Sequence, residues 1–321
     1  MVLPLLLALG GLLREGRPLS TLLQGAPDFI AADKGVKRVL VTGWGRLAGL
    51  LSDSGSPQVV VGRKGWLYFR PALNSALGAG RMEPDEMTRL ADALAAMADR
   101  LALRGTRLVL LIAPDKASVY PQYLPCYILP GSTGLTDRVR LLTLLKERGV
   151  LAPDLFSLFQ ASGAPLYLQT DTHWNARGAW LAFDALFRSA GLNSPWQFLP
   201  EDFIIPVKAP GDLVPLYLPG VADAQQDWLP DLPRGYASVR PLRSLDDLLI
   251  QTTSPSGGPT VYAARDSFGR ALFPYLANAS SELVFTRDYA GFERRAAGYD
   301  LAVILIAERN LGELAGKLGA D

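Results

Sequence analysis

The segment Thr260-Val-Tyr-Ala-Ala-Arg-Asp-Ser-Phe-Gly269 decides the fold, because a short run of β-forming residues ends in a polar turn and a helical pattern follows at once. Ser267 lies at this predicted strand-to-helix turn, where its hydroxyl is exposed and its amide lies at the positive end of the helix dipole. This is the arrangement of a nucleophile elbow, although the Gly-x-Ser-x-Gly pattern is absent. The alternative is that Asp266 or Ser267 only caps the helix.

The rest of the chain repeats this alternation of strand-like and helix-like segments. Strands are predicted at residues 58–62, 65–69, 107–113, 165–168, 260–264, 282–286 and 301–307, and helices at 84–104, 136–148, 175–190, 268–279 and 311–318. Such alternation predicts an α/β/α sandwich around a mostly parallel sheet, with the strand 107–113, which is apolar after Arg107, at its centre. Residues 192–256 are rich in proline and poor in periodicity, and a long structureless stretch of this kind is typical of a lid or a binding surface.

Length and composition fit one main domain. The 321 residues are 49% hydrophobic and 20% charged, which are values of a globular chain. The net charge of +1 gives no general attraction to nucleic acid, so we expect no nucleic-acid partner. A cluster of turn-forming residues at 52–57 marks a linker. We expect residues 1–57 to form an N-terminal apolar segment and a helical linker, and residues 58–321 to form the α/β domain.

The N-terminus begins with an apolar run over residues 1–13, and a helix is predicted further on, around residues 34–51. The run is too short to span a bilayer, which takes about 20 residues. No basic region precedes it and no convincing small-residue cleavage site follows it, which disfavours an ordinary signal peptide. The remnant of a membrane anchor is the interpretation that the family resemblance given below favours. The apolar region of a weak signal and a simple buried helix are the alternatives.

The only histidine, His173, lies in the run Leu168-Gln-Thr-Asp-Thr-His-Trp-Asn175. Histidine ordinarily titrates near physiological pH and is the usual general base for a hydroxyl nucleophile. Asp171 stands two residues earlier, close enough to hold one ring nitrogen while the other nitrogen faces a nucleophile. The alternative is that Asp171 or Asn175 caps the following helix and that His173 packs locally.

The histidine segment and the serine segment are more specific together than apart. In open α/β sheets, ligand sites form beyond the carboxyl ends of the strands, and both segments follow predicted strands. Two loops 94 residues apart can therefore face each other across one crevice. The order Asp, His, Ser differs from that of chymotrypsin-like and α/β-hydrolase enzymes, but a triad is recognised by geometry and role. The predicted catalytic set is Asp171, His173 and Ser267.

Five segments of the chain resemble, in the same order, the sequence blocks of one known family. They are Val59-Val-Val-Gly-Arg-Lys-Gly-Trp-Leu-Tyr68, Ala113-Pro-Asp-Lys-Ala-Ser-Val-Tyr-Pro121, Thr170-Asp-Thr-His-Trp-Asn-Ala-Arg-Gly-Ala179, Arg265-Asp-Ser-Phe-Gly269 and Ile304-Leu-Ile-Ala-Glu-Arg309. The third and fourth resemble the two signature segments of the AlgJ/AlgX family of alginate-type polysaccharide O-acetyltransferases. The resemblance covers residues 62–309 and implies an SGNH-hydrolase-like domain.

The resemblance also implies a function and a cellular setting. Asp171, His173 and Ser267 match the family's catalytic Asp, His and Ser. The implied enzyme is an O-acetyltransferase that acts on hydroxyls of an exported polysaccharide in the periplasm or at the cell surface. A membrane-bound acyltransferase is implied as acetyl donor, and the membrane as a partner through the N-terminus.

The residues themselves indicate how the chemistry would run. His173 would take the proton of Ser267, which forms an acyl-enzyme, and the Ser267 amide would supply part of the oxyanion hole. A carbohydrate acetyl esterase would use the same triad with water. A non-catalytic glycan-binding subunit is the alternative outside enzymes.

The composition restricts metal and thiol chemistry. Cys126 is the only cysteine, so no intramolecular disulfide is possible, and one histidine with one cysteine is too few for a usual transition-metal site. We therefore predict no metal and no cofactor. Cys126 lies in a proline-bounded apolar run, and we expect a buried, inert thiol.

Several other features are assigned structural roles. Residues 62–69 contain glycine and basic residues but lack the phosphate-loop pattern, so we expect a β-turn at Gly65. Asp115 and Lys116 follow the predicted strand 107–113, and a loop-fixing salt bridge is favoured over substrate contact. Four aromatic residues in the irregular segment suit a glycan groove, but packing is the favoured interpretation for each: Trp196, Tyr217, Trp228 and Tyr236.

Overall fold

The computed structural model describes residues 56–77, 81–128, 136–255 and 257–319. The apolar run 1–13 and the helix predicted at 34–51 lie outside these residues. Within the described part of the chain, no helix combines the length and the apolar character needed to cross a bilayer.

A six-stranded sheet lies at the centre of the described structure. The strands, numbered along the chain, are β1 (Val59–Val61), β2 (Leu67–Phe69), β3 (Arg107–Ala113), β4 (Ile205–Lys208), β5 (Gln226–Leu229), β6 (Ala237–Ser238), β7 (Leu249–Thr253), β8 (Thr260–Arg265), β9 (Glu282–Thr286) and β10 (Leu301–Ala307). Across the main sheet their order is β3, β10, β8, β9, β7 and β6. The first four run parallel, while β7 and β6 add to one edge antiparallel. The predicted mostly parallel sheet is confirmed, with an antiparallel edge.

Strand β10, and not β3, lies inside the parallel part of the sheet. It pairs with β3 on one side and with β8 on the other, and all of its residues are buried. The expectation that residues 107–113 form the centre is wrong, because β3 stands at the end of the strand order. Beyond it there is only a bridge from Val109 to Leu151 among the described residues. Helices that cover both faces of β3 account for its apolar sequence.

Helices pack on both faces of the sheet. In chain order they are α1 (Leu73–Leu77), α2 (Pro84–Ala102), α3 (Lys116–Val119), α4 (Asp137–Glu147), α5 (Leu155–Ala161), α6 (Ala176–Ser189), α7 (Val214–Tyr217), α8 (Gly269–Ala279), α9 (Phe292–Ala296) and α10 (Leu314–Leu318). Successive side chains of a strand point to opposite faces. In β10, the odd-numbered residues pack in one core with α5, α6 and α8, and the even-numbered residues in another with α2, α4 and α9. This confirms the α/β/α sandwich.

The chain just before α6 differs from the prediction. Residues 165–168 form no strand of the main sheet, because Tyr167 makes a single antiparallel bridge to Trp174. The Asn175 amide donates to the Leu166 carbonyl at 2.9 Å, so the chain turns back on itself within a few residues. Asp171 and His173 are therefore presented by a tight loop and not by the end of a sheet strand.

The part of this segment that the structure describes, residues 192–255, is more ordered than its composition indicated, and the expectation of a structureless stretch is wrong. It contains the antiparallel hairpin β4–β5, the short helix α7 and the strand β7, which joins the main sheet next to β9. The burial of β7 alternates along its length, and its sequence is Leu-Ile-Gln-Thr-Thr. A short strand near the edge of the sheet with so many polar residues gives a weak hydrophobic pattern.

Two loop predictions had opposite outcomes. Strands β1 and β2 form a separate hairpin, and the turn between them has Lys64 and Gly65 at positive φ (56° and 80°), which confirms the β-turn. Cys126 is exposed, so the expectation of a buried thiol is wrong. The Ile128 amide donates to the Pro125 carbonyl at 3.0 Å, which places the cysteine at a surface turn.

Candidate active site

The nucleophile candidate lies where β8 gives way to α8. The Asp266 carboxylate fixes this turn, because its Oδ1 accepts from the Phe268 amide at 3.0 Å and its Oδ2 from the Ala307 amide at 2.6 Å. Asp266 thus fixes the turn before α8, and neither Asp266 nor Ser267 caps the helix with its side chain. Gly269 follows directly, and a Cβ there would lie 2.7 Å from the Arg265 side chain and 2.8 Å from the Phe285 ring. The turn between β8 and α8 therefore leaves no room for a side chain at position 269.

The three predicted catalytic residues lie together. His173 Nε2 lies 2.8 Å from Ser267 Oγ, and His173 Nδ1 lies 2.7 Å from Asp171 Oδ1. With the proton on Nδ1, the imidazole donates to Asp171 and accepts from the serine hydroxyl. The helix-capping alternative belongs to Asn175, whose side chain accepts from the Gly178 amide at 3.0 Å. Asp171 and His173 are thus free of the cap of α6.

Asp171 is surrounded by donors. Besides the imidazole, its Oδ1 accepts from the His173 amide at 2.8 Å, and its Oδ2 accepts from the Asp212 amide at 3.0 Å. Burial raises the pKa of this carboxyl, but the hydrogen bonds and charge of His173 and the amide of Asp212 outweigh burial and hold the pKa below its ordinary value. An ionised Asp171 can only accept hydrogen bonds, and it therefore fixes the tautomer of His173.

A second carboxylate, Asp212, was not predicted. Its Oδ2 lies 3.5 Å from His173 Nδ1, and its Oδ1 accepts from the amide and the hydroxyl of Thr172 at 2.7 and 3.0 Å. Burial and, next, the charge of Asp171 raise the pKa of Asp212 above its ordinary value. Asp212 comes from the segment 192–256, where only the turn-forming Pro210-Gly-Asp212 gives a local signal. The carboxylates of Asp171 and Asp212 therefore both lie beside the same ring nitrogen of His173.

Aromatic side chains join the histidine loop to the serine turn. Trp174 is fully buried, and its indole Nε1 donates to the Phe268 carbonyl at 3.1 Å. The Phe268 ring meets the rings of His173 and Trp174 edge to face, with centroids 4.9 and 5.0 Å apart. The residues that follow Ser267 and His173 thus contact each other, and these contacts hold the serine turn against the histidine loop.

The serine amide is available for an oxyanion. Among the residues that the structure describes, no acceptor is hydrogen-bonded to the Ser267 amide, whereas the Phe268 amide is taken by Asp266 and the Gly269 amide by the Asp266 carbonyl. The Ser267 amide lies just before α8, at the positive end of its dipole. A free backbone amide at this position could donate to an oxyanion.

The other residues named from the sequence have varied positions. Asp115 forms the expected loop-fixing salt bridge, with Arg309 Nη1 2.6 Å from its Oδ1. Lys116 instead donates to backbone carbonyls of the histidine loop. Trp196 and Tyr236 pack against the core, in agreement with the favoured interpretation, and Tyr217 packs against the cluster around β1. Trp228 on β5 is 46% exposed.

The carboxylates around His173 could also be considered as metal ligands. One atom each from Asp171, His173 and Asp212 lie within 4.8 Å of one another. However, His173 Nδ1 is already hydrogen-bonded to Asp171, and both carboxylate oxygens of Asp171 accept hydrogen bonds. A cation at this point would have to replace the bond between imidazole and carboxylate. The absence of a metal thus remains a prediction.

Comparison with known proteins points to one family. The model of the family described as SGNH hydrolase-like domain, acetyltransferase AlgX, matches residues 59–255. A probable alginate O-acetylase AlgJ of Pseudomonas syringae pv. tomato is 29% identical over 171 residues, which are 53% of this chain and 42% of that protein. The chain spans less than half the length of the curated relatives that it matches.

Solved structures show the same fold. The O-acetyltransferase domain of Pseudomonas putida AlgJ is 22% identical, with a TM-score of 0.50 over 80% of this chain and 92% of that one. A structure of Bacillus cereus PatB1 with a sulfonyl adduct is 14% identical, with a TM-score of 0.56 over 79% of this chain and 97% of that one. The expected SGNH-hydrolase-like fold is confirmed.

Proposed function

The chain belongs to the family of SGNH hydrolase-like domains of AlgX-type acetyltransferases, and we propose that it transfers an acetyl group to a polysaccharide hydroxyl through Ser267, His173 and Asp171. One observation carries the proposal. Residues 94 positions apart form a continuous relay, with 2.8 Å between His173 Nε2 and Ser267 Oγ and 2.7 Å between His173 Nδ1 and Asp171 Oδ1. Nucleophile, base and orienting carboxylate have the mutual distances that acyl transfer requires.

The proposed reaction has two half-reactions with the same proton path. Ser267 Oγ attacks the acyl carbon of the donor, and its proton passes to His173 Nε2. The imidazolium, held at Nδ1 by Asp171, returns the proton to the leaving group as the bond between that group and the acyl carbon breaks. A sugar hydroxyl then attacks the acetyl-serine and gives its proton to His173. The bond between Ser267 Oγ and the acyl carbon breaks, the imidazolium returns the proton to Oγ, and the sugar leaves as the acetyl ester.

The negative oxygen of each tetrahedral intermediate needs a donor. The Ser267 amide, at the N-terminal end of α8, suits this role because it has no other partner among the described residues. A backbone donor that is already oriented costs no reorganisation during the reaction. Removing one oxyanion-hole donor from a serine protease costs about 100- to 1000-fold in kcat.

The polymer acceptor is proposed from the relatives named alginate O-acetylase. The half-exposed indole of Trp228 offers a flat face for a sugar ring, and its neighbour Asp227 accepts from the Ala176 amide at the start of α6 at 2.9 Å. This places the hairpin β4–β5 beside the histidine loop. We further propose extracytoplasmic action, with a membrane-bound acyltransferase as acetyl donor and with the apolar run 1–13 contributing to attachment at the membrane.

An ester assay with and without an acceptor tests this function. The protein is mixed with 4-nitrophenyl acetate alone or with an alginate oligosaccharide, and 4-nitrophenol and acetylated sugar are both measured. We expect acetyl-sugar to form only with active protein, and mass spectrometry to find the acetyl group on Ser267. Ser267→Ala is the control.

The other outcomes identify the alternatives. Rapid release of 4-nitrophenol with no acetyl transfer to any acceptor would indicate an esterase. If wild type and Ser267→Ala were equally inactive while the protein bound the oligosaccharide, the chain would be a glycan-binding subunit. Either result would refute the transferase.

A further inference from the structure

We propose that Lys116 is a positioning residue whose ammonium group holds the loop that carries Asp171 and His173. The inference rests on the function proposed above, because it assigns a role toward the same reaction. Lys116 follows β3, in the segment Ala113 to Pro121 that resembles a family block but has no part in the proposed proton relay.

The ammonium group is matched by three acceptors. Lys116 Nζ donates to the backbone carbonyls of Leu168, Gln169 and Asp171, at 3.2, 3.0 and 2.5 Å. A lysine ammonium has three donors, whereas a neutral amine has two hydrogens. All three donors are thus used on the loop of residues 168–173, and the last acceptor is the carbonyl of Asp171 itself. The charged form of Lys116 is the form that fits.

Two aromatic rings enclose the same cation. Lys116 is only 4% exposed, and its Nζ lies 5.6 Å from the ring centroid of Trp66 and 5.3 Å from that of Tyr68. These distances allow cation–π attraction. Both rings come from the β1–β2 hairpin, and the Leu67 amide between them donates to the Gln169 carbonyl at 2.9 Å. The hairpin and Lys116 therefore support the histidine loop together.

Nearby charges decide whether the buried amine keeps its proton. Burial lowers the pKa of Lys116 to about 7, and the carboxylates of Asp171 and Asp212 act in the opposite direction. These carboxylates also flank His173 Nδ1 at 2.7 and 3.5 Å. Lys116 is thus the cation that offsets two carboxylates around one imidazole. Loss of its proton would remove both this charge and one loop contact.

Substitution of Lys116 should impair the reaction more than binding of a small ester. We expect Lys116→Met, which keeps the length of the side chain but removes the donors, to lower kcat about 10- to 100-fold, because a shift of about 1 Å in a catalytic group has this effect. KM for 4-nitrophenyl acetate should stay within about twofold, since no contact to the ester is lost. Lys116→Arg keeps the charge and should fall between Lys116→Met and wild type.

Two further readouts separate positioning from simple folding. In wild type, kcat should fall on the alkaline side as Lys116 loses its proton, and this limb should be absent in Lys116→Met. The control is Lys146→Met on the exposed side of α4, which should match wild type in rate and in pH profile. Thermal melts check that each variant is folded.

Each outcome has one meaning. A folded Lys116→Met protein with the kcat and pH profile of wild type would overturn the inference. If Lys116→Met did not fold, Lys116→Arg with unchanged kcat and unchanged pH profile would overturn it, because the three-donor geometry would then be unnecessary. If wild type were no more active than Ser267→Ala, the proposed function would fail instead, before Lys116 is considered.

Discussion

Replacing Asp212 by asparagine should extend the activity of this protein toward acid pH, because it removes one of the two carboxylates beside His173. Wild type should lose activity on acidification, since a protonated histidine cannot act as a base. Both Asp171 and Asp212 stabilise that protonated form. Asparagine keeps the shape of the side chain and can still accept from the Thr172 amide and hydroxyl, so the perturbation is chiefly electrostatic.

The size of the effect follows from the distance and the exposure. At 3.5 Å, a carboxylate and an imidazolium attract by about 1.2 kcal/mol in water and about 5 kcal/mol at an effective dielectric constant of 20. The Asp212 side chain is 44% exposed, so water and salt screen the pair, and the lower limit of about 1 kcal/mol applies. This corresponds to about a fivefold lower plateau rate, with the acidic limb displaced to lower pH.

The assay is kcat/KM for an acetyl ester between pH 5 and about pH 8, with Asp231→Asn as a control at an exposed loop carboxylate. The acidic limb of Asp212→Asn should move to lower pH, and that of Asp231→Asn should not move. Asp171→Asn should cost far more, on the order of a thousandfold or greater, because the favoured tautomer is lost. An acidic limb that stays in place or moves to higher pH in Asp212→Asn would refute the electrostatic argument.

Three further predictions concern the same site. Ser267→Ala and His173→Ala should each abolish most acyl turnover in a folded protein, and the double variant should be little worse than either; modest, additive losses would contradict the triad. EDTA should leave the rate unchanged, because the proposed reaction uses no metal, and a chelated protein that regains activity with zinc would refute this. Gly211→Ala should lower kcat without preventing folding, which kinetics and a thermal melt together check.

The residues of the proposed triad could be predicted because their signals are local. The strand, the turn and the helix around Ser267 follow each other within one short segment, and the Asp-x-His pair lies within one loop. The prediction of the structure that brings these residues together was less accurate. The sequence indicated a strand before Asp171, whereas the loop is closed by a bridge from Tyr167 to Trp174. Four apolar or small residues suit a strand and a hairpin-like loop equally well.

Residues that act through backbone groups could not be predicted. The Asp212 amide reaches Asp171 across 41 positions, and Lys116 reaches the carbonyls of the loop across 52 to 55 positions. Nearly every residue has a backbone carbonyl and an amide. A contact to one of these groups therefore leaves no recognisable residue type in the sequence. The aspartate and the lysine are also common in loops with no such role. Only the folded arrangement distinguishes them.

The turn that carries Asp212 packs tightly against the histidine loop. A Cβ atom at Gly211 would lie 2.0 Å from the Thr170 carbonyl oxygen and 2.3 Å from the Thr170 carbonyl carbon. These are backbone atoms of the histidine loop and cannot rotate away. Asp223 links the Gly211 turn to the histidine loop, because its Oδ2 accepts from Thr170 Oγ1 at 2.6 Å and from the Gly211 amide at 2.7 Å. An alanine must therefore separate the turn from the loop.

That separation should act first on Asp171, because the Asp212 amide that donates to it belongs to the displaced turn. We expect Gly211→Ala to lower kcat about 10- to 100-fold, the range that follows from a displacement of about 1 Å. Gly316→Ala in α10 is the matched control, because nothing lies within 4 Å of a Cβ there, and alanine favours a helix over glycine. It should keep the wild-type rate and melt at the same or a higher temperature. Equal rates for both variants would mean that the Gly211 turn does not support the catalytic loop.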